Sequence, residues 1–190
     1  MYRTIRSIHL CAGLFSLVFL AMYGVSAVQM THGGWLRMRP RVVTRIVTLP
    51  RTTADARALA RELAERYGIA GELTGIHAGA DGVSFRILRP GIVWQADYVP
   101  ATGETALRIT DSGLLGMLNR IHQMRGLWHE WGAYNLWAML LAMIGAAILT
   151  LGATGVYLWW KTNRNHRWSG AVLAVSVAVV GGLAAWMRMG

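Results

Sequence analysis

The chain has 190 residues, of which 54% are hydrophobic and only 15% charged, with a formal net charge of +10. A soluble domain carries about 25% charged residues, so one ordinary soluble fold is excluded for the whole chain. The positive balance suits anionic lipid; no nucleic-acid module is present, and the aromatics sit mostly in or beside apolar blocks, which argues against DNA or RNA as a partner.

The first apolar block runs from Ile8 to about Val28 and follows Arg3 and Arg6. A bilayer core about 30 Å thick needs about 20 helical residues. The competing reading is a signal peptide, with Gly24-Val25-Ser26 as its cleavage site, but the apolar run exceeds the usual core of about 7–15 residues. A retained transmembrane anchor is therefore expected, with residues 1–35 as its unit. Cys11 is the single cysteine, so no intrachain disulfide forms. Leu10 stands where a lipoprotein site needs a small residue, and Cys11 is expected to be a small buried hydrophobe.

Residues 36–120 predict a small α+β domain. Val42 to Leu49 is a β-branched run ended by Pro50. Thr53 is placed to cap a helix over Ala54 to Tyr67, in which Leu59, Leu63 and Tyr67 recur every fourth residue and Gly68 closes the end. Strands are expected over Glu72 to His77, Ser84 to Leu88, Ile92 to Val99 and Thr105 to Ile109, with turns at 78–82, Pro90-Gly91 and 100–103. Asp111 or Ser112 can cap a last helix leading through Leu118 and Ile121 into the next span. No nucleophile elbow, phosphate loop or zincin motif occurs in the domain.

The second apolar block is uncharged from Trp131 to Trp160, and the third runs from Trp168 to Met187. Residues 121–161 and 162–190 are the corresponding units. Gly145, Gly152, Gly155, Gly170, Gly181 and Gly182 offer small faces for helix approach in lipid. Trp35, Trp128, Trp131, Trp159, Trp160 and Trp168 lie near block ends, as in an interfacial belt. Arg3 and Arg6 before span one, and Lys161, Arg164 and Arg167 between spans two and three, fall on one side if the helices alternate. The positive-inside rule makes that side cytoplasmic and puts residues 36–120 in the periplasm of a Gram-negative cell.

Six histidines are the candidates for redox or metal chemistry. His9 and His166 form an inner layer; His32, His122 and His129 form an outer one; His77 is an ordinary strand or loop residue. His9 and His32 are separated by about 35 Å of helix and cannot ligate one iron. His122 and His129, seven residues apart, share a face if that stretch is helical. Neutral imidazole is a good axial ligand for haem iron, while a histidine at a membrane interface is also often a plain amphipathic anchor. Glu130 beside His129 either orients an imidazole or caps a span.

Leu118-Asn-Arg-Ile-His122 is followed by Gly126-Leu-Trp, then by Leu151 to Trp160 (Leu-Gly-Ala-Thr-Gly-Val-Tyr-Leu-Trp-Trp), then by Asn165-His166-Arg167-Trp168-Ser169-Gly170. Together these segments resemble the PepSY-associated transmembrane family. Ile8-His9 through Gly13-Leu14 is similar to a second copy of the first element, and Pro100 to Glu104 resembles the last turn of a PepSY module. The resemblance implies a bacterial inner-membrane protein with three transmembrane helices and an inserted periplasmic PepSY-like domain. It also implies a haem b electron carrier, with one or two haems, that assists reduction of ferric siderophores. His9, His122 and His166 are the element histidines it carries over; His32 and His129 are the further outer candidates. The pairings expected are His9 with His166, and His122 with His32 or His129. A quinone or another donor would supply electrons, and a homodimer or a larger membrane protein would complete the bundle. Larger members have a fourth span or more and some are complete reductases, so a minimal electron-transfer unit, a reductase subunit or a member that has lost haem is the expectation here. The alternative is a non-enzymatic, membrane-anchored binding or inhibitory module acting on a periplasmic partner. A third possibility is an assembly subunit of an iron-uptake complex.

Overall fold

The computed structural model describes residues 1–32, 39–51, 55–80, 82–124, 126–163 and 166–189, with the side chain of His166 outside the description. The expectations for Trp35 and Thr53 fall outside the described residues. The chain divides into two compact units, one of residues 1–16 with 145–190 and one of residues 17–144.

Three helices are long and apolar enough to cross a membrane: α1 (Tyr2–Thr31), and two that follow the sheet domain, α4 (Gly132–Thr162) and α5 (His166–Met189). At about 1.5 Å per residue, the 31-residue α4 is about 46 Å long. That exceeds a hydrocarbon core of about 30 Å and leaves its ends in the headgroup layers. None of the most apolar window of α5 is buried within the protein. A water-facing surface of this kind is untenable for a soluble monomer; acyl chains are the solvent that fits it. The chain is a multi-pass membrane protein.

Cys11, expected to be buried, is instead exposed on α1. It occupies a face turned away from the protein, where a small apolar side chain suits lipid. Of the glycines expected to bring helices together, Gly155 lies against another helix. A Cβ at Gly145, Gly152, Gly170, Gly181 or Gly182 would meet nothing within 4 Å among the described residues.

Between α1 and α4 lies the expected α+β domain. A five-stranded, wholly antiparallel sheet has the order β1-β5-β4-β3-β2. Its strands are β1 (Arg41–Thr48), β2 (Glu72–Ala78), β3 (Val83–Arg89), β4 (Ile92–Tyr98) and β5 (Glu104–Asp111). Strands β2 to β5 form a meander, and β1 returns beside β5 with Arg41 opposite Asp111. Alternation does the sorting: Val83, Phe85 and Ile87 of β3, Trp94, Ala96 and Tyr98 of β4, and Leu107 of β5 point into one core.

Helix α2 (Ala56–Tyr67) covers that core with Leu59 and Leu63, both fully buried. Each contributes roughly 1.5–3 kcal/mol by leaving water. The helix begins two residues later than the sequence predicts. Asp55 is its N-cap, accepting from the Arg57 and Ala58 amides at 3.3 and 3.2 Å. Gly68 closes it in the left-handed region at φ 68°, as predicted. Tyr67, on the same stripe, is at the helix end and exposed. Its hydroxyl reaches the Thr48 carbonyl.

Helix α3 (Gly113–His122) does not run on into α4 as expected. Asp111 accepts from the Gly113 amide at 2.8 Å and starts it. Beyond His122 the backbone turns left-handed at Gly126 (φ 81°) and Trp128 (φ 77°), which no helix accommodates. The linker so formed is tied to the sheet by Glu72. Its carboxylate accepts from the Trp131 amide at 2.8 Å and the Glu130 amide at 3.3 Å. Arg89 adds a second tie: it donates to the Gly68 and Ala70 carbonyls and lies over the Trp94 and Trp131 rings.

Candidate functional site

Helix α1 carries a polar stripe. Ser16, Ser26 and Gln29 are buried to within 3% of full burial, while Leu17, Val18 and Val25 between them are exposed. Polar groups within a span are costly unless they face protein. The three- and four-residue spacing of Ser16, Phe19, Tyr23, Ser26 and Gln29 puts them along one face. Phe19 meets the Trp137 ring of α4 at 5.3 Å. Two histidines dock on this framework, each in its own unit of the structure.

The first is His9, on α1. Its Nδ1 stands 2.9 Å from the Thr154 hydroxyl of α4. That hydroxyl donates to the Thr150 carbonyl at 2.6 Å, one turn back along its own helix. The imidazole lies against the next residue, Gly155, where a Cβ would come within 3.4 Å of His9 Cε1. A Cβ at 155 would just touch the ring, so the Thr-Gly pair supplies a polar partner and a close approach.

The second is His122, in the last turn of α3. Its Nδ1 is 2.6 Å from the Ser26 hydroxyl of α1, which also bonds to the Tyr23 carbonyl at 3.0 Å. The Tyr23 ring packs on the imidazole with centroids 4.6 Å apart. Gln123, the next residue, reaches Met30 of the same helix at 3.5 Å. The two histidines belong to the two copies of Ile-His-x-x-x-Gly-Leu, Ile8 to Leu14 and Ile121 to Leu127. Both copies use a helix-borne hydroxyl on a neighbouring helix.

The remaining histidines are held differently. The linker breaks the helical register, so His122 and His129 do not share a helical face. His129 Nδ1 faces Glu72 Oε1 at 3.4 Å, and its ring meets Tyr134 edge-on at 5.2 Å. Asn135 clasps its backbone, accepting from its amide and donating to its carbonyl, both at 2.8 Å. Glu72, not Glu130, is therefore the carboxylate beside this imidazole; Glu130 pairs with Arg57 at 2.7 Å. That exposed pair adds little stability. His32 is exposed at the end of α1, its amide donating to the Val28 carbonyl at 2.9 Å. His77 is in β2 opposite Ser84. His166 opens α5; a place for its ring lies outside the described residues.

Among the described residues, no group of three or more His, Cys, Asp or Glu side chains could hold a bare metal ion. Haem asks for less from the protein: one or two imidazole nitrogens and an apolar surround. His9 and His122 could each supply one such nitrogen. A metal-ligating histidine commonly fixes its ring by hydrogen-bonding the other nitrogen to the protein, and each of these rings has Nδ1 so fixed. Sequence reasoning singled out both histidines and missed Thr154, Ser26 and Glu72. The first two carried a legible signal, hydroxyls inside apolar spans, where polar groups are rarely idle.

Comparison with models of known protein families, with curated proteins and with solved structures finds no match to this chain.

Proposed function

We propose that this is a haem b electron carrier of a bacterial inner membrane, assisting reduction of ferric siderophores on the side of the sheet domain. The observation that supports the reading best is the pair of imidazoles, His9 and His122, each held through Nδ1 by a hydroxyl of a neighbouring helix. The motif resemblance is what supports the siderophore and a PepSY-like inserted domain. The short basic flanks support a cytoplasmic N-terminus and 161–167 loop, with residues 36–120 in the periplasm.

His9 and His122 would be axial ligands. His166 is the inner candidate to complete a pair with His9; His32 and His129 are the outer candidates with His122. Haem, when bound, supplies reversible one-electron chemistry at iron. The chain's own part is to hold the two imidazoles on rigid helices and to keep their surroundings apolar. Quinone or a cytoplasmic donor would meet the inner side, and an anionic ferric chelate the arginine-rich outer side. This makes the chain a reductase-type oxidoreductase or a subunit of one.

The test is the reduced-minus-oxidised visible spectrum of the purified protein, with pyridine haemochrome quantification. A b-type spectrum that is lost in His9→Ala or His122→Ala is expected. A flat spectrum after expression with ample haem refutes the reading. A second reading, a membrane-anchored binding module, is favoured by β1. It is an edge strand with Val42 and Ile46 exposed, at 48% and 73%, and such an edge can pair with an added strand.

A further inference from the structure

The two hydroxyls beside His9 and His122 decide more than ring position. Each has one proton to give. Thr154 Oγ1 lies 2.6 Å from the Thr150 carbonyl oxygen, and two oxygens approach so closely only with a hydrogen between them. The carbonyl has no proton, so the threonine supplies it. The same hydroxyl is then left with lone pairs toward His9 Nδ1 at 2.9 Å, and the ring nitrogen must donate. At the second histidine, Ser26 Oγ donates to the Tyr23 carbonyl at 3.0 Å. It stands 2.6 Å from His122 Nδ1. Ser26 is 1% exposed, so water is not there to offer another arrangement. With its one proton on the carbonyl bond, the serine can only accept from the ring nitrogen.

We propose that Thr154 and Ser26 are positioning residues that fix Nδ1 of His9 and His122 as the N–H donor, so that each ring in its neutral form has its lone pair at Nε2. The proton on one imidazole nitrogen is set by the hydrogen bond at that nitrogen, and here both bonds are set in turn by helix backbone carbonyls. The device is the same in both copies of Ile-His-x-x-x-Gly-Leu. The hydroxyl comes from α4 in one and α1 in the other. The tautomer holds with or without iron; its use, to aim Nε2 at haem, rests on the function proposed above.

The test uses the full-length chain, 15N-labelled at histidine, in lipid nanodiscs and prepared without haem. Two-bond proton–nitrogen correlation spectra are recorded at mildly alkaline pH, where free imidazole is neutral. Wild type is expected to show His9 and His122 protonated at Nδ1. Thr154→Val moves His9 toward the Nε2–H form that free histidine prefers and leaves His122 unchanged; Ser26→Ala does the converse. Thr154→Ser, which keeps the hydroxyl, restores the wild-type pattern at His9 and shows that the change is not misfolding. An Nε2–H tautomer in wild type, or variants that leave the rings unchanged, overturns the proposal.

Haem titration of the same samples reads the second half. Loss of such an outer partner typically weakens metal binding by about 10- to 100-fold, and Thr154→Val and Ser26→Ala are expected to do so. Wild-type affinity in both variants overturns the use in aiming Nε2. If wild type takes no haem while the tautomers stand, the functional reading falls and the locking role remains.

Discussion

Glu72→Gln tests how the sheet holds the linker that precedes α4. The Glu72 side chain is only 13% exposed. Oε2 accepts from the Trp131 amide at 2.8 Å, and Oε1 faces the Glu130 amide at 3.3 Å and His129 Nδ1 at 3.4 Å. Glutamine keeps one acceptor oxygen and turns an amide group toward donors in place of the other. The negative charge also goes, so the surviving bond drops from charge-assisted to neutral strength. Losing one such charged bond costs about 1.5–3 kcal/mol. The loss falls on local opening of residues 129–131, because the core of the sheet and α2 does not use Glu72. At about 1.4 kcal/mol per tenfold, amide exchange there accelerates roughly 10- to 100-fold. Hydrogen–deuterium exchange by mass spectrometry on peptides spanning 127–134 reads this directly. Unchanged exchange in that segment refutes the reasoning. Equal acceleration in α2 and β3 refutes it too, because the carboxylate would then be supporting the whole domain.

Leu63→Ala empties a fully buried position under α2 and is expected to cost about 2–5 kcal/mol, seen as a lower Tm of the sheet domain in the full-length protein. Asp55→Ala removes the N-cap of α2 and costs about 0.5–2 kcal/mol in the same assay, with Asp55→Asn retaining most of the stability. Gly71→Ala brings a Cβ within 2.5 Å of the Leu88 carbonyl oxygen, a backbone atom that cannot swing aside, so thermal melting should fall where a surface Gly→Ala leaves it unchanged. For orientation, single cysteines at Ser84 and Asn163 in a Cys11→Ser background are expected to react from opposite sides with an impermeant maleimide. Labelling of both from the same side refutes the alternation of spans.

The spans were legible because lipid leaves a coarse signature, long runs without charge, that needs no knowledge of packing. The strands were legible for a related reason: alternation across one buried face shows as Val83, Phe85 and Ile87, then Trp94, Ala96 and Tyr98. What stayed hidden depends on contacts between distant residues. Asp55 was passed over as a cap because Thr53, two residues earlier, has an equally suitable side chain. The end of α3 at His122 was missed because 123–131 reads as a helical lead-in by composition. Only the left-handed backbone at Gly126 and Trp128 and the tether to Glu72 divide it. In the sequence Ser26 reads as part of a cleavage site and Thr154 as part of the span-two motif, and neither reading gives them a histidine. Their meaning arises from a ring far away in sequence, His9 and Thr154 being 145 positions apart and Ser26 and His122 96.

The pairing of Arg41 with Asp111 has a consequence for how such a protein can change. The first and last residues of the sheet are next-door neighbours, so the domain is a cassette whose two ends leave from one spot. A cassette of this kind can be lengthened, trimmed or exchanged without altering the spacing of the chain where it leaves α1 and where it continues toward α4. Insertions of this geometry are tolerated because the host sees only two nearby attachment points. The sheet domain is thereby free to diversify, while the span hydroxyls and the imidazoles they hold stay under their own, separate constraints.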